Sequence, residues 1–89
     1  MATTVDPQHL EITGKSAPLL DHLRDPLHRA LGGRGRFYAV HVEPVGRVGE
    51  VLVSITGSRG RLPLLFSPEE LEPGDVFRTV SDTVDKFGF

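Results

Sequence analysis

The chain has 89 residues, no cysteine and a formal net charge of −2. A chain of this length suits one domain and excludes disulfides and thiolate metal sites. No apolar run approaches the roughly 20 residues that span a bilayer, so we predict no membrane association. The first residues lack the basic start and apolar stretch of a signal peptide, which favours a cytoplasmic protein.

Charge is distributed unevenly along the chain. Residues 1–23 hold one Lys against three acids, residues 24–61 hold seven Arg against three acids, and residues 62–89 hold one Arg and one Lys against six acids. The middle of the chain is therefore basic and its last third acidic. This asymmetry predicts separate surfaces of opposite charge.

The start of the chain gives the weakest pattern. Residues 1–8 are predicted to form a flexible N-terminal arm, and residues 9–89 a single α+β domain. His9–Thr13 alternates polar and apolar side chains, but five residues decide little. The sequence therefore leaves open whether a short leading strand precedes the first helix.

The first helix is predicted more clearly. Ser16 can cap the free backbone N–H groups at its start. Its apolar face consists of leucines that recur mostly at spacings of three and four: Leu19, Leu20, Leu23, Leu27 and Leu31. Because Pro26 lacks an N–H and clashes with the preceding turn, we expect a kink there or two short helices. Gly32 and Gly33 can end the element in a left-handed conformation.

Three segments with a period of two follow, and they predict strands at 37–43, 50–56 and 61–66. Short glycine-rich connectors separate them, which indicates antiparallel hairpins. Pro63 cannot donate to a strand ladder, so the third strand is expected at an edge. The inward face is predicted to consist of Tyr38, Val40, Val42, Val51, Val53, Ile55, Leu62, Leu64 and Phe66.

A capping box, Ser67-Pro68-Glu69-Glu70, and a final helix from about Asp75 complete the chain. The apolar stripe of this helix is Val76, Phe77, Val80, Val84 and Phe87, and we expect the apolar Phe89 to dock on the fold. The predicted fold is α+β, with the order α-β-β-β-α. It is a three-stranded antiparallel meander with two helices on one face.

Two arginine pairs are the first candidate site. Arg34 and Arg36 precede the first predicted strand, and Arg59 and Arg61 flank the glycine of the second hairpin. In a meander these positions lie at the same end of the sheet, so four guanidinium groups would converge. Guanidinium groups next to glycine-exposed backbone amides suit phosphate or carboxylate, which predicts binding of an anion or an acidic partner. Soluble arginine-glycine turns are the plainer alternative.

The outward face of the sheet is the second candidate. It carries apolar side chains among polar ones, and the predicted interface residues are Phe37, Ala39, Leu52 and Leu65. Single exposed apolar residues are ordinary, but a contiguous patch marks an interface. Self-association through this face or through an edge strand is one expectation.

Two further groups carry weaker signals. His22, Asp25 and His28 are three residues apart and could meet on a helix, but the spacing matches no zinc signature, and a solvated helix face explains it equally. The acidic residues Glu69, Glu70, Glu72 and Asp75 suit helix starts. No metal site, catalytic residue or cofactor is predicted.

These features favour a small non-enzymatic protein-interaction module, such as an adaptor, inhibitor or accessory subunit, with a protein partner and a homodimer as the expected partners. A nucleic-acid-binding domain that contacts phosphates through its arginines is one alternative. The order α-β-β-β-α also occurs in double-stranded-RNA-binding domains, but acidic residues stand where that fold is basic. A small dimeric enzyme with a site between its subunits is the other alternative.

Overall fold

Four strands form one mixed sheet in the order β1-β2-β3-β4. A computed structural model describes residues 10–89, so the predicted arm, 1–8, lies outside the described residues. The elements are β1 (Leu10–Gly14), α1 (Ala17–Leu31), β2 (Tyr38–Val45), β3 (Glu50–Gly57), β4 (Gly60–Phe66), a 3-10 turn (Pro68–Leu71) and α2 (Pro73–Phe87). The fold is α+β.

The leading strand is present, which corrects the three-stranded meander to a four-stranded mixed sheet. β1 pairs with β2 in parallel, with Leu10 opposite Tyr38 and Gly14 opposite Val42. Parallel neighbours need a crossover connection, and α1 provides it. The pairing is not visible in the sequence because β1 is short and its partner lies beyond the whole of α1.

The meander prediction is confirmed for the other three strands. β2 pairs with β3 and β3 with β4, both antiparallel. Gly46 and Gly49 take positive φ angles of 71° and 84° at the ends of the β2–β3 turn, where a side chain would be strained. β4 is an edge strand of the described sheet, as Pro63 predicted.

The core lies between one face of the sheet and both helices. Seven of the predicted inward residues are buried, and Leu62 and Leu64 are half-buried against the same cluster. The helices contribute Leu23, Leu27, Ala30, Leu31, Val76, Val80 and Val84. The predicted core face of the sheet is therefore confirmed, and no helix of residues 10–89 lies on its opposite face.

Helix α1 begins as predicted but is not divided at Pro26. The Oγ of Ser16 accepts a hydrogen bond from the N–H of Leu19 at 3.4 Å. Pro26 is buried within the helix, so core packing on both sides of it outweighs the lost hydrogen bond. Gly32 ends the helix with φ −67°, a right-handed and not a left-handed conformation.

Helix α2 starts at Pro73, two residues before the predicted cap Asp75. Proline is tolerated in the first turn because its missing N–H would have no partner there. The buried stripe is narrower than predicted, since Phe77 is 38% and Phe87 59% exposed. Gly88, at φ 62°, turns the chain so that the N–H of Phe89 donates to the carbonyl of Val84 at 2.9 Å. Phe89 is buried, which confirms that it docks.

Candidate interaction surfaces

The register places the arginine pairs at one end of the sheet. Ala39 near the start of β2 lies opposite Thr56, which lies opposite Arg61. The β3–β4 turn that contains Arg59 is therefore at the same end as Arg36. The structure brings these segments together, but their arginine side chains make different contacts.

Arg34 is engaged within the fold. Its Nε donates to the carbonyl oxygen of Ala30 at 2.7 Å, its Nη1 to Oδ1 of Asp85 at 2.6 Å, and its Nη2 to Oγ of Ser81 at 3.1 Å. Its side chain is only 24% exposed. Arg34 therefore ties the end of α1 to α2, and its donors point into the protein.

The other three arginines are exposed. Nη1 of Arg36 donates to the carbonyl oxygen of Phe89 at 2.9 Å. The ion pairs of residues 10–89 include neither Arg59 nor Arg61. The predicted set of four free guanidinium groups is thus reduced to two, with Arg36 partly committed beside them.

A pocket of about 480 Å³ opens at this end of the sheet. It is lined by Arg36, Phe37, Tyr38, Thr56, Gly57, Ser58 and Phe89. The rings of Tyr38 and Phe89 stack with centroids 6.4 Å apart. Gly57 leaves room for them, since a Cβ there would lie 3.3 Å from Cε2 of Phe89. The pocket combines aromatic walls with the guanidinium group of Arg36 and the hydroxyl-bearing side chains of Thr56 and Ser58, which suits an apolar group next to a negative charge.

Tyr38 and Phe89 were not singled out as site residues from the sequence. Tyr38 belongs to the apolar period of β2, so its pattern indicates only a core residue. Its hydroxyl is buried and has no hydrogen-bond partner among the described residues. The stacking with Phe89 depends on the left-handed turn at Gly88, for which the only sequence signal is the glycine itself.

The outer face of the sheet, the face without helices, consists of rows that run across the strands. The first row is Glu11, Ala39, Thr56 and Arg61; the second is Thr13, His41, Ser54 and Pro63; the third is Glu43, Leu52 and Leu65. Rows one and three are about 13 Å apart, at about 3.3 Å per residue.

This arrangement divides the predicted interface residues into two groups. Leu52 and Leu65 are direct cross-strand neighbours in the third row. Phe37 and Ala39 lie at the arginine end, and Phe37 also lines the pocket. The outer face therefore has two apolar groups with a polar row between them.

His41 is the centre of that polar row. Its Nδ1 lies 3.2 Å from Oγ1 of Thr13, and its Nε2 lies 3.5 Å from Oε1 of Glu43. Both contacts lie on the outer side, and the contact with Thr13 joins β1 to β2. They give the middle of the face hydrogen-bonding groups that a partner could share.

The helical His-Asp group does not assemble as a site. Nε2 of His22 donates to the carbonyl oxygen of Leu71 at 2.7 Å, and Asp25 forms an ion pair with Arg29 at 3.8 Å. Within residues 10–89, no three or more His, Cys, Asp or Glu side chains are placed to hold a metal ion. Local contacts thus account for His22 and Asp25.

The acidic residues near α2 also have local roles. Oε1 of Glu70 accepts the N–H of Ser67 at 2.9 Å, as the capping-box prediction requires. Oδ1 of Asp75 lies 3.6 Å from Nη1 of Arg78. Glu69 and Glu72 are exposed.

Neither helix of the described residues has the length and apolar character needed to cross a membrane. Comparisons with protein-family models, curated proteins and solved structures find no match. Function is therefore inferred from the surfaces described above.

Proposed function

We propose that this chain is a small non-enzymatic protein-interaction module, an adaptor, inhibitor or accessory subunit of the cytoplasm, whose partner binds the outer face of the sheet. One observation carries this proposal. Both helices cover the same face of the sheet, and the face they leave bare includes Leu65 at 56% exposure, with Phe37 at 55% at its end. Exposed apolar side chains on a sheet face that neither helix covers favour an interaction site there.

The leucine pair supplies the apolar contact. Leu65 is exposed next to the half-buried Leu52, and both point away from the core. Removing a leucine side chain from water contributes about 1.5–3 kcal/mol when burial is complete. A partner that covers this pair gains part of that free energy without any change in the core.

The arginine end supplies the polar contact. Arg61 lies in the first row of the outer face and Arg59 in the adjoining turn. Both are exposed, so their guanidinium groups are available to carboxylates of a partner. A partner with an apolar centre and an acidic margin fits both groups at once.

The hydrogen bonds of Arg34 and Arg36 within the fold also favour a protein partner over nucleic acid. With Arg34 bonded to Asp85, and Arg36 to the Phe89 carbonyl, about two freely available phosphate contacts are left at this end. Phosphate contacts provide most of the affinity for nucleic acid. Two of them would support only weak binding at physiological salt.

The test is differential capture of a partner by three forms of the chain. Leu65→Asp places a charge on the outer face, and Phe87→Asp is the matched control, because Phe87 is equally exposed, at 59%, on α2. We expect the unaltered chain and Phe87→Asp to capture the same partner and Leu65→Asp to lose it at least tenfold. Both substitutions should change the free energy of unfolding by less than about 1 kcal/mol, the span of strand propensities for Leu65 and of ordinary helix propensities for Phe87.

Two results would contradict the proposal. One is a partner that Leu65→Asp retains at full affinity. The other is a partner that Leu65→Asp and Phe87→Asp lose equally. This result would indicate that both variants have unfolded or that the capture was nonspecific. Circular dichroism of each variant separates loss of fold from loss of binding.

A further inference from the structure

We propose that a second copy of this chain binds the outer face, related by a two-fold axis parallel to the strands, so that Glu11 of each copy pairs with Arg61 of the other. This inference rests on the proposed function, because it uses the same face. It goes further by naming the partner and its orientation.

The charges of the first row carry the inference. Glu11 lies opposite Ala39, Ala39 opposite Thr56, and Thr56 opposite Arg61. One row of the outer face thus has a carboxylate on one edge strand and a guanidinium group on the other. Both residues are exposed, and neither occurs in an ion pair within residues 10–89.

A two-fold axis makes the charges of this row complementary between two copies. A two-fold axis that lies in the interface parallel to the strands exchanges the two edges of the sheet but keeps each row at its level. β1 of one copy then faces β4 of the other, and Glu11 faces Arg61. The interface is isologous, so the pair forms twice.

An axis that crosses the strands gives a poorer match. It would set each edge strand against the same strand of the other copy, so that β1 faces β1 and β4 faces β4. The first row of one copy would then face the third row of the other. Arg61 would then face Leu65, and Glu11 would approach Lys15, which directly follows β1, so only one of the two first-row charges would gain an opposite charge. The distribution of charge therefore selects the axis parallel to the strands.

The second row is compatible with this orientation, and the third row contributes no apolar contact. The second row sets His41 near Ser54 of the other copy and Thr13 near Pro63, which combines hydrogen-bonding groups with a small apolar ring. In the third row Glu43 approaches Leu52, and its carboxylate keeps the imidazole of His41, 3.5 Å away, as a neighbour. Packed sheets of this kind align within about 30°.

The size of the face limits the affinity. Four strands about 4.8 Å apart and about six residues long give a face of roughly 19 by 20 Å. Such a contact covers about 760 Å² in total over the two copies, which is below the size of most specific interfaces. We therefore expect a weak dimer with a Kd of about 10–100 µM.

Sedimentation equilibrium up to about 500 µM tests the pairing by charge reversal, and the circular dichroism spectrum of each variant checks its fold. Glu11→Arg and Arg61→Glu each create two like-charge contacts across the interface, so each should raise the Kd at least tenfold. The double variant Glu11→Arg with Arg61→Glu restores opposite charges and should return the Kd to within about threefold of the unaltered chain. Arg47→Glu, in the β2–β3 turn at the other end of the sheet, is the control and should change the Kd by less than about twofold.

The outcomes distinguish the two proposals. A chain that stays monomeric at 500 µM overturns the second-copy inference, and so does a double variant as weak as the single variants. If Leu65→Asp still loses a captured partner in that case, the proposed function stands without self-association. If Leu65→Asp keeps its partner and the charge reversals leave the Kd of the dimer unchanged, both proposals fail.

Discussion

Gly14 shows how one small residue sets the distance between β1, β2 and α1. A Cβ built on Gly14 would lie 2.5 Å from the carbonyl oxygen of Val42 and 3.2 Å from Cδ2 of Leu20. The first neighbour is backbone of the adjacent strand and cannot rotate away. The parallel pairing of β1 with β2 therefore depends on the absence of a side chain at this position.

Gly14→Ala should lower the free energy of unfolding by about 1–3 kcal/mol, the usual cost of forcing an extra carbon into a packed site. Gly33→Ala is the control, since a Cβ there meets no atom within 4 Å, and it should change stability by less than about 1 kcal/mol. Urea denaturation followed by circular dichroism measures both. Equal stabilities for the two variants would mean that β1 is not packed as closely as described.

At the scale of elements, the two helices are joined by polar as well as apolar contacts. The Leu, Ala and Val side chains form the buried seam, while Arg34 spans from the last turn of α1 to Ser81 and Asp85 on α2. The same side chain also donates a hydrogen bond to the carbonyl oxygen of Ala30, which is one of the acceptors without a partner inside the helix at its end. Arg34 thus closes α1 and fixes α2 at once.

Arg34→Ala should destabilise the protein by about 1–3 kcal/mol, because it leaves partly buried acceptors without a donor. Arg24→Ala removes an exposed ion pair with Asp21, 3.3 Å, and should cost less than about 1 kcal/mol. Thermal unfolding at matched pH and salt compares the two. A loss for Arg34→Ala no larger than that for Arg24→Ala would show that the contacts with α2 contribute little.

The sequence predicted those helices and strands whose pattern of polar and apolar residues lies within one short segment. The period of two in β2, β3 and β4 identified the strands and the buried face, because alternation maps directly onto the two sides of a sheet. The continuity of α1 through Pro26 was not predictable in this way, since it depends on burial against other elements. The same holds for the bond between Arg34 and Asp85, which are 51 positions apart in sequence.

The candidate surfaces were predictable to a similar extent. The sequence indicated which arginines reach one end of the sheet, because hairpin order fixes that end. It did not indicate that Arg34 turns inward, nor that a parallel β1 adds Glu11 to the first row opposite Arg61. Charge complementarity across the outer face exists only once all four strands are in place.

At the scale of the whole molecule, the buried hydrophobic residues within 10–89 form a single cluster. It takes side chains from both helices, from β2, β3 and β4, and from Phe89. Tyr38 lies in this cluster, and it is the only tyrosine in a chain without tryptophan. Its fluorescence therefore reports on the core, while far-UV circular dichroism reports on the helices and strands.

We expect urea unfolding followed by these two signals to give the same midpoint, because a small domain with one core unfolds in a single cooperative step. The measurement needs concentrations well below the expected dimer Kd, so that association does not shift the midpoint. A Tyr38 transition at lower urea than the circular dichroism transition would show that the end of the sheet opens before the rest.

The contacts of Tyr38 also determine where the chain can be fused to another protein or circularly permuted. Leu10 lies opposite Tyr38 in the sheet and Phe89 stacks on its ring, so both ends of the described chain meet at one place. An affinity tag or fluorescent fusion joined directly to Phe89, or to a chain shortened to start at Leu10, would crowd the pocket and the arginines. A circular permutant that links these ends and opens the chain in the β2–β3 turn would carry such fusions about 25 Å away, at the other end of β2.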